Sequence, residues 1–273
     1  MSTSNNMKLR ALVTGASSGI GAAFAERLAR DGHDLIVVAR RRDRLESLAE
    51  QLQASHHVNV EVIAADLSKP DDLMTVEKRI IAEDNMLELL VNNAGFGGYM
   101  PFAELDPDKA TELINLKVLA VTRLTRAALP GMLARGHGAI INVSSRLAFS
   151  GSMRSTQLPK RATYAGVNAF INIFSQLVQS ELEGTGVQVQ ALCPGLVETE
   201  FHERVGIDRN RYPATIVMTP EDVVQASLTG LKLGEVICVP TLEDLDLLTQ
   251  IQEDEKRFFE LSRSGNLAAR YRS

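Results

Sequence analysis

The chain holds only two cysteines, Cys193 and Cys238, and each lies inside an apolar run, so both read as small buried hydrophobes and no structural disulfide is expected. It contains no stretch of eighteen consecutive apolar residues, which excludes a membrane-spanning helix of ordinary length. Metal-ligand spacing is missing too: His33, His56, His57, His137 and His202 are scattered, and loop histidines with no bound metal are the expected reading. Nor is there a basic surplus. Lys and Arg total 29 against 34 Asp and Glu, a net charge of -5 without a concentrated basic face, which argues against nucleic acid as a main partner. The polar start Met1–Asn6 lacks an apolar signal core and reads as a frayed tail, so a cytoplasmic address is expected.

What the chain does have is enough apolar sequence for a large core, 45% of 273 residues. Strand-length apolar runs occur near Leu12, at Leu35–Ala39, Val60–Ala64, Leu87–Val91, Ala139–Val143, Val187–Leu192 and Val236–Val239. Between them, helix-period segments span about Ile20–Arg30, Asp43–Ala54, Asp71–Glu83, Asp108–Leu133 and Tyr164–Glu183. Alternation of this kind predicts a doubly wound α/β fold: a parallel sheet of about seven strands covered by helices on both faces. Asp43 with Glu46 fits a capping box, and Asp106–Asp108 should open another helix. No repeat or linker divides the chain, so a single domain over 1–273 is expected, with a helical tail from about 242–273.

The stretch Leu12-Val13-Thr14-Gly15-Ala16-Ser17-Ser18-Gly19-Ile20-Gly21 runs from a buried strand through three glycines into a helix. Glycine lets backbone N–H groups approach a pyrophosphate, and the helix adds unpaired donors at the positive end of its dipole. The spacing G-x-x-x-G-x-G differs from the common G-x-G-x-x-G fingerprint, so the residues alone support a dinucleotide site only in general terms.

Further motifs follow in order, and together they resemble the classical branch of the short-chain dehydrogenase/reductase family over roughly Lys8–Val239. Thr14–Gly21 is similar to its glycine-rich loop, Asp66 to its adenine contact, Asn92-Asn93-Ala94-Gly95 to its N-N-A-G strand end, Asn115 to its helix asparagine and Pro194-Gly195 to its P-G motif. Ile141-Asn142-Val143-Ser144-Ser145 resembles the strand bearing the catalytic serine, normally the second of the pair, here Ser145. The resemblance implies a Rossmann-type domain that binds a nicotinamide dinucleotide through Gly15, Ser17, Ser18, Gly19, Ile20, Gly21, Asp66, Leu67, Asn93, Ala94, Gly95, Pro194, Gly195, Val197 and Thr199. It also implies a homodimer or homotetramer built on the long helices around Asn115 and Tyr164.

The second strand ends Val38-Ala39-Arg40-Arg41-Arg42, with no acid to hold a ribose 2′-hydroxyl. Guanidinium forks suit a 2′-phosphate, so NADP(H) is the expected cofactor, with Arg40 the first candidate and Arg41 beside it.

By resemblance, Tyr164 is the proton donor to a substrate carbonyl, Ser145 its hydrogen-bonding partner on substrate, and Asn115 the holder of a connecting water. The family's Y-x-x-x-K is broken, because Tyr164-Ala165-Gly166-Val167-Asn168 carries Asn168 at the lysine position, where it can hold ribose but brings no charge. Ser145 and Tyr164 are also further apart than is usual, with Arg154, Lys160 and Arg161 in the enlarged loop. Lys160, if the helix starts early, or Arg146 could restore a cation. Phe96, Tyr99, Met100 and Phe102 suggest an apolar substrate wall, continued by the segment after Thr199. The leading expectation is an NADP(H)-dependent oxidoreductase acting on a carbonyl/alcohol pair of a small to medium organic molecule. A non-redox dehydratase, isomerase or lyase, or a catalytically weak cofactor-binding protein on the same fold, are the alternatives.

Overall fold

A computed structural model describes residues 9–82, 86–154, 158, 160–200 and 213–272. In chain order it has β1 (Arg10–Thr14), α1 (Gly19–Arg30), β2 (Asp34–Ala39), α2 (Arg42–His56), β3 (Val60–Ala64), α3 (Pro70–Ile80) and β4 (Leu87–Asn92). There follow α4 (Pro107–Ile114), α5 (Ala120–Arg135), β5 (Gly138–Val143), α6 (Ala162–Glu181), β6 (Val187–Leu192) and a two-residue strand β7 (Leu196–Val197). The last elements are β8 (Val217–Met218), α7 (Pro220–Lys232), β9 (Ile237–Cys238) and α8 (Asp246–Leu261). Seven strands form one sheet in the order β3-β2-β1-β4-β5-β6-β9, every neighbouring pair parallel, and β7 pairs with β8 separately. This is the doubly wound architecture the alternating runs predict.

Period-two side-chain alternation splits each central strand between two cores. From β1, Ala11 and Val13 pack with Phe24 and Leu28 of α1, Leu45 of α2 and Val223 of α7 on one face. Leu12 turns the other way, toward Leu73 and Val76 of α3 and Leu124 and Met132 of α5. Both faces are dry, which is why the strand runs are almost continuously apolar. Cys193 and Cys238 are free and buried.

Two local expectations need correction. The segment 108–133 is not one regular helix: between α4 and α5 the chain takes a π-helical turn over Asn115–Leu119, whose wider i to i+5 bonding re-aims the side chains it carries. The expected Asp43 capping box is also absent, because α2 begins at Arg42 and its N-cap residue, Arg41, makes no side-chain cap; Asp43 sits instead in the first turn, where its charge meets the helix dipole. Asp106 does open α4, its side chain accepting from the Asp108 N–H.

The chain divides into two compact units, one ending at Pro240 and one spanning Thr241–Ser273. The second holds α8, an amphipathic helix with Phe258, Phe259 and Leu261 exposed.

Candidate active site

Parallel pairing puts the C-terminal ends of the strands on one edge, where the segments following β1, β2, β4, β5 and β6 surround a cavity of about 290 Å3. Gly15, Ser18, Gly19, Ile20, Arg40, Asn93, Gly95, Ser145, Tyr164, Pro194, Gly195, Val197 and Thr199 line it. Ser17, Gly21, Arg41, Asp66, Leu67, Ala94, Asn115 and Asn168 are not among the lining residues.

At the nucleotide end, Gly15 has φ +67°, and a Cβ there would stand 2.8 Å from Asn93 Nδ2 and 2.9 Å from Ala94 Cα. A Cβ on Gly21 would lie 2.3 Å from the Gly15 carbonyl oxygen. The loop is therefore pressed onto the end of β4 at a distance only glycine permits. Thr14 locks this junction: its Oγ1 accepts from the N–H groups of Asn93 (2.9 Å) and Ala94 (3.0 Å) and donates to the Val91 carbonyl. Ser18, at the N-cap of α1, makes no side-chain cap, and the first turn contains no acid. Uncapped donors at a helix start beside a glycine cradle fit a pyrophosphate.

Beyond β2, the two arginines behave differently. Arg40 lines the cavity, is 57% exposed along its side chain and pairs with Glu112 at 3.1 Å. Arg41 folds over the glycine-rich loop, its Nη2 donating to Ser17 Oγ and Ser18 Oγ at 2.9 Å each. Glu200 then accepts from Arg41 at 3.2 Å and from Arg44 at 2.6 Å, a long-range tie that no local pattern announces. The Asp66 carboxylate is engaged with Ser68 N–H and hydroxyl, while its own N–H donates to Asp72, so it shapes the turn into α3 together with buried Leu67. Asn115 reaches the same turn, donating to the Ser68 carbonyl at 3.4 Å.

At the chemical end, Tyr164 projects from the first turns of α6 and is 6% exposed, its ring 5.0 Å from that of Tyr99. Burial pushes its phenol pKa up, and hydrogen bonds with the side chains of Tyr99, Ser145 and Asn168 work against that rise. Ser145 Oγ also accepts from the Leu147 N–H, so it caps the short 3₁₀ turn Arg146–Phe149 as well as facing the cavity. Asn168 is fully buried; its Nδ2 donates to the Tyr164 carbonyl at 2.7 Å, its own carbonyl accepts from Ser144 Oγ, and its Oδ1 has no partner among the described residues.

Three expectations about this end change. Because α6 starts at Ala162, Lys160 precedes the helix and does not share the face of Tyr164; it lines a second cavity. Phe96 and Tyr99 wall the site, but Met100 and Phe102 line that second cavity instead. The segment 201–212, expected to continue the substrate wall after Thr199, lies outside the described residues. The sequence reading missed Lys117. It lines the site although 4% exposed, with Nζ donating to the Val143 carbonyl at 2.7 Å. A charged residue inside the apolar run Leu116–Ala120 was the available signal.

Comparison with known proteins agrees with this geometry. A family model for short chain dehydrogenases matches residues 9–210. Very-long-chain 3-oxoacyl-CoA reductase-A of Danio rerio is 33% identical over 229 residues, 82% of this chain and 67% of that protein. In a Phaeosphaeria nodorum reductase of that type the matched part is 62% of the whole. Among solved structures, a short-chain dehydrogenase from Sphingobium yanoikuyae in complex with NADPH superposes with TM-score 0.89 at 36% identity, covering 96% of this chain and 100% of that one. The bulky-bulky ketone specific alcohol dehydrogenase of Comamonas testosteroni gives TM-score 0.86 at 32% identity, covering 97% and 99%. With the sheet order, the glycine cradle and the serine–tyrosine pair already in place, the chain belongs to the short chain dehydrogenase family and is an NAD(P)-dependent oxidoreductase.

Proposed function

We propose that this protein is an NADP(H)-dependent carbonyl reductase or alcohol dehydrogenase, with Tyr164 as proton donor in reduction and Ser145 as hydrogen-bonding partner of the substrate oxygen. The observation that carries the reading is the hydrogen-bonded pairing of Tyr164 with Ser145 inside the cavity that also opens on the glycine-rich loop. Gly15, Ser18, Gly19, Asn93 and Thr199 would hold the dinucleotide, with Asn168 close enough to Tyr164 to take part at the ribose. When bound, the reduced nicotinamide supplies hydride. The residues of this chain supply orientation and a proton, and their apolar enclosure limits access of water.

The preference for the phosphorylated cofactor is supported by Arg40 and Arg41 at the end of β2, where no acid stands to select a free 2′-hydroxyl. The complex of the Sphingobium relative with NADPH agrees with it. Phe96, Tyr99, Leu147 and Leu158 make the substrate side largely apolar, and we assign it a ketone or secondary alcohol with a sizeable apolar group. Ile173 and Leu177, both exposed on α6, support self-association through that helix. Cytoplasmic location completes the proposal. None of the described helices is long and apolar enough to cross a membrane.

The test is nicotinamide absorbance with NADPH or NADH against ketones of increasing bulk, and with the oxidised cofactors against the matching alcohols. We expect turnover with NADPH, and about a 10²- to 10⁴-fold loss in Tyr164→Phe with cofactor affinity kept. Substrate conversion without cofactor oxidation, or full turnover in the Tyr164 variant, would reject the assignment.

A further inference from the structure

Lys117 is an unusual residue to find in this cavity wall. Burying an ammonium is unfavourable unless its environment compensates or its charge has a use. It is carried by the π-helical turn Asn115–Leu119 and runs beside Gly95, where a Cβ would lie in van der Waals contact, 3.4 Å from Cδ and Cε of Lys117. Nζ gives one hydrogen bond, to the Val143 carbonyl, and no other partner occurs among the described residues. Val143 is two residues before Ser145 and adjoins Ser144, whose Oγ binds the Asn168 carbonyl. Lys117 therefore abuts the strand end that supports both Ser145 and the turn of α6 after Tyr164.

No Asp or Glu is found among the described lining residues, so no carboxylate there cancels the field of Lys117. The titratable and charged groups around the cavity are Tyr164 on α6, Tyr99 after β4, Arg146 after β5 and Arg40 after β2, while Cys193 faces Lys117 from the end of β6. Arg40 is at the nucleotide end and is paired with Glu112. Desolvation brings the Lys117 pKa down to about 8, so the amine is available both as a cation and as a proton carrier near neutral pH.

We infer that Lys117 supplies, through Tyr164, the positive charge that residue 168 lacks, making it the positioning residue that stabilises the Tyr164 phenolate. This rests on the reading of Tyr164 as proton donor. In that step the Tyr164 O–H bond breaks, its proton forms a new O–H bond with the substrate oxygen, and the bonding pair remains on the phenolate, in the cavity that Lys117 also lines. Asn168 leaves an unpartnered oxygen, not a cation, and cannot do this.

The experiment follows Tyr164 ionisation by NMR in protein carrying ¹³C at tyrosine Cζ, without cofactor or substrate, Tyr164→Phe identifying the resonance. Lys117→Met and the polar Lys117→Gln are compared with wild type, so that one folded variant suffices. We expect the Tyr164 Cζ resonance of wild type to shift near pH 8, where Lys117 titrates, both Lys117 variants to lose that step, kcat for one ketone with NADPH to fall tenfold or more below pH 8, and Asn168→Lys in the Lys117→Met background to restore the rate. The same step in a folded Lys117 variant, or a larger loss of rate in Arg146→Met, overturns the inference. If wild type turns over no ketone or alcohol, the functional reading fails, whereas the Tyr164 titration still decides the role of Lys117.

Discussion

The rings of Tyr99 and Tyr164 meet at 5.0 Å between centroids and 58° between planes, and their side chains are also hydrogen-bonded. A tilted contact of this kind contributes about 0.5–1.5 kcal/mol beyond the apolar area it covers. Tyr99 thus both packs the proton donor and lowers its pKa against the larger, opposing effect of burial.

Replacing Tyr99 by Phe keeps the ring contact and removes the hydrogen bond to the phenolate. The Tyr164 pKa then rises. In alcohol oxidation, where Tyr164 must accept a proton, the pH-rate profile should move its ionisation limb to higher pH with little loss of maximal rate. A limb that stays in place would show that the Tyr99 hydroxyl does not act on Tyr164.

Thr14→Val tests the clamp under the glycine-rich loop. The substitution preserves shape but leaves the Asn93 and Ala94 N–H groups without their acceptor. A buried donor left without its acceptor costs about 1–3 kcal/mol and these N–H groups are half-buried, so urea unfolding should show a loss up to that size, and NADPH affinity should fall with it because Asn93 lines the cavity. Thr14→Ser should recover most of both. Equal stability of the valine variant would remove the clamp from the account.

Arg40→Ala addresses cofactor choice. A hydrogen bond to a charged group contributes about 1.5–3 kcal/mol, or roughly ten- to a hundredfold in affinity. NADPH should weaken by that factor while NADH changes little. Arg41→Ala should weaken both cofactors, since Arg41 also braces Ser17 and Ser18 of the loop. Equal effects of Arg40→Ala on the two cofactors would reject a 2′-phosphate contact.

Lys117 gives a stability prediction with a definite sign. Its pKa is lowered from 10.5 to about 8 by burial, so between those values the unfolded chain holds a proton that the folded chain has released. Stability from this group therefore rises with pH across that window; as pH falls it is lost from about 10.5 downward, and the loss is complete just below about 8. Lys117→Met removes the dependence. Its stability relative to wild type should be greater near pH 8 than near 10.5, by roughly 3 kcal/mol, in parallel urea titrations. Curves that stay parallel would place the amine in water.

Legibility differed between parts of the molecule for physical reasons. Central strands buried on both faces must be almost continuously apolar, so β1 and β2 are visible in composition alone. Gly15 and Gly21 are visible because no Cβ fits where they lie. The π-helical turn was not: one extra residue in a helix leaves the periodicity of 108–133 almost unchanged, yet it decides where Lys117 points. The Arg41–Glu200 contact was equally hidden, since its partners are 159 residues apart.

The sequence by itself determined the order of strands and helices, the glycine cradle and the order in which Ser145, Tyr164 and Asn168 occur, because each depends on local sterics or on a short repeat of apolar residues. Only the tertiary structure decided which charges reach the cavity. It set Lys160 before the helix and outside the site, tied Arg40 to Glu112, and brought Lys117 against the Val143 carbonyl at the end of β5. Electrostatic partners are chosen by distance in space, and that distance is set by packing that spans the whole chain.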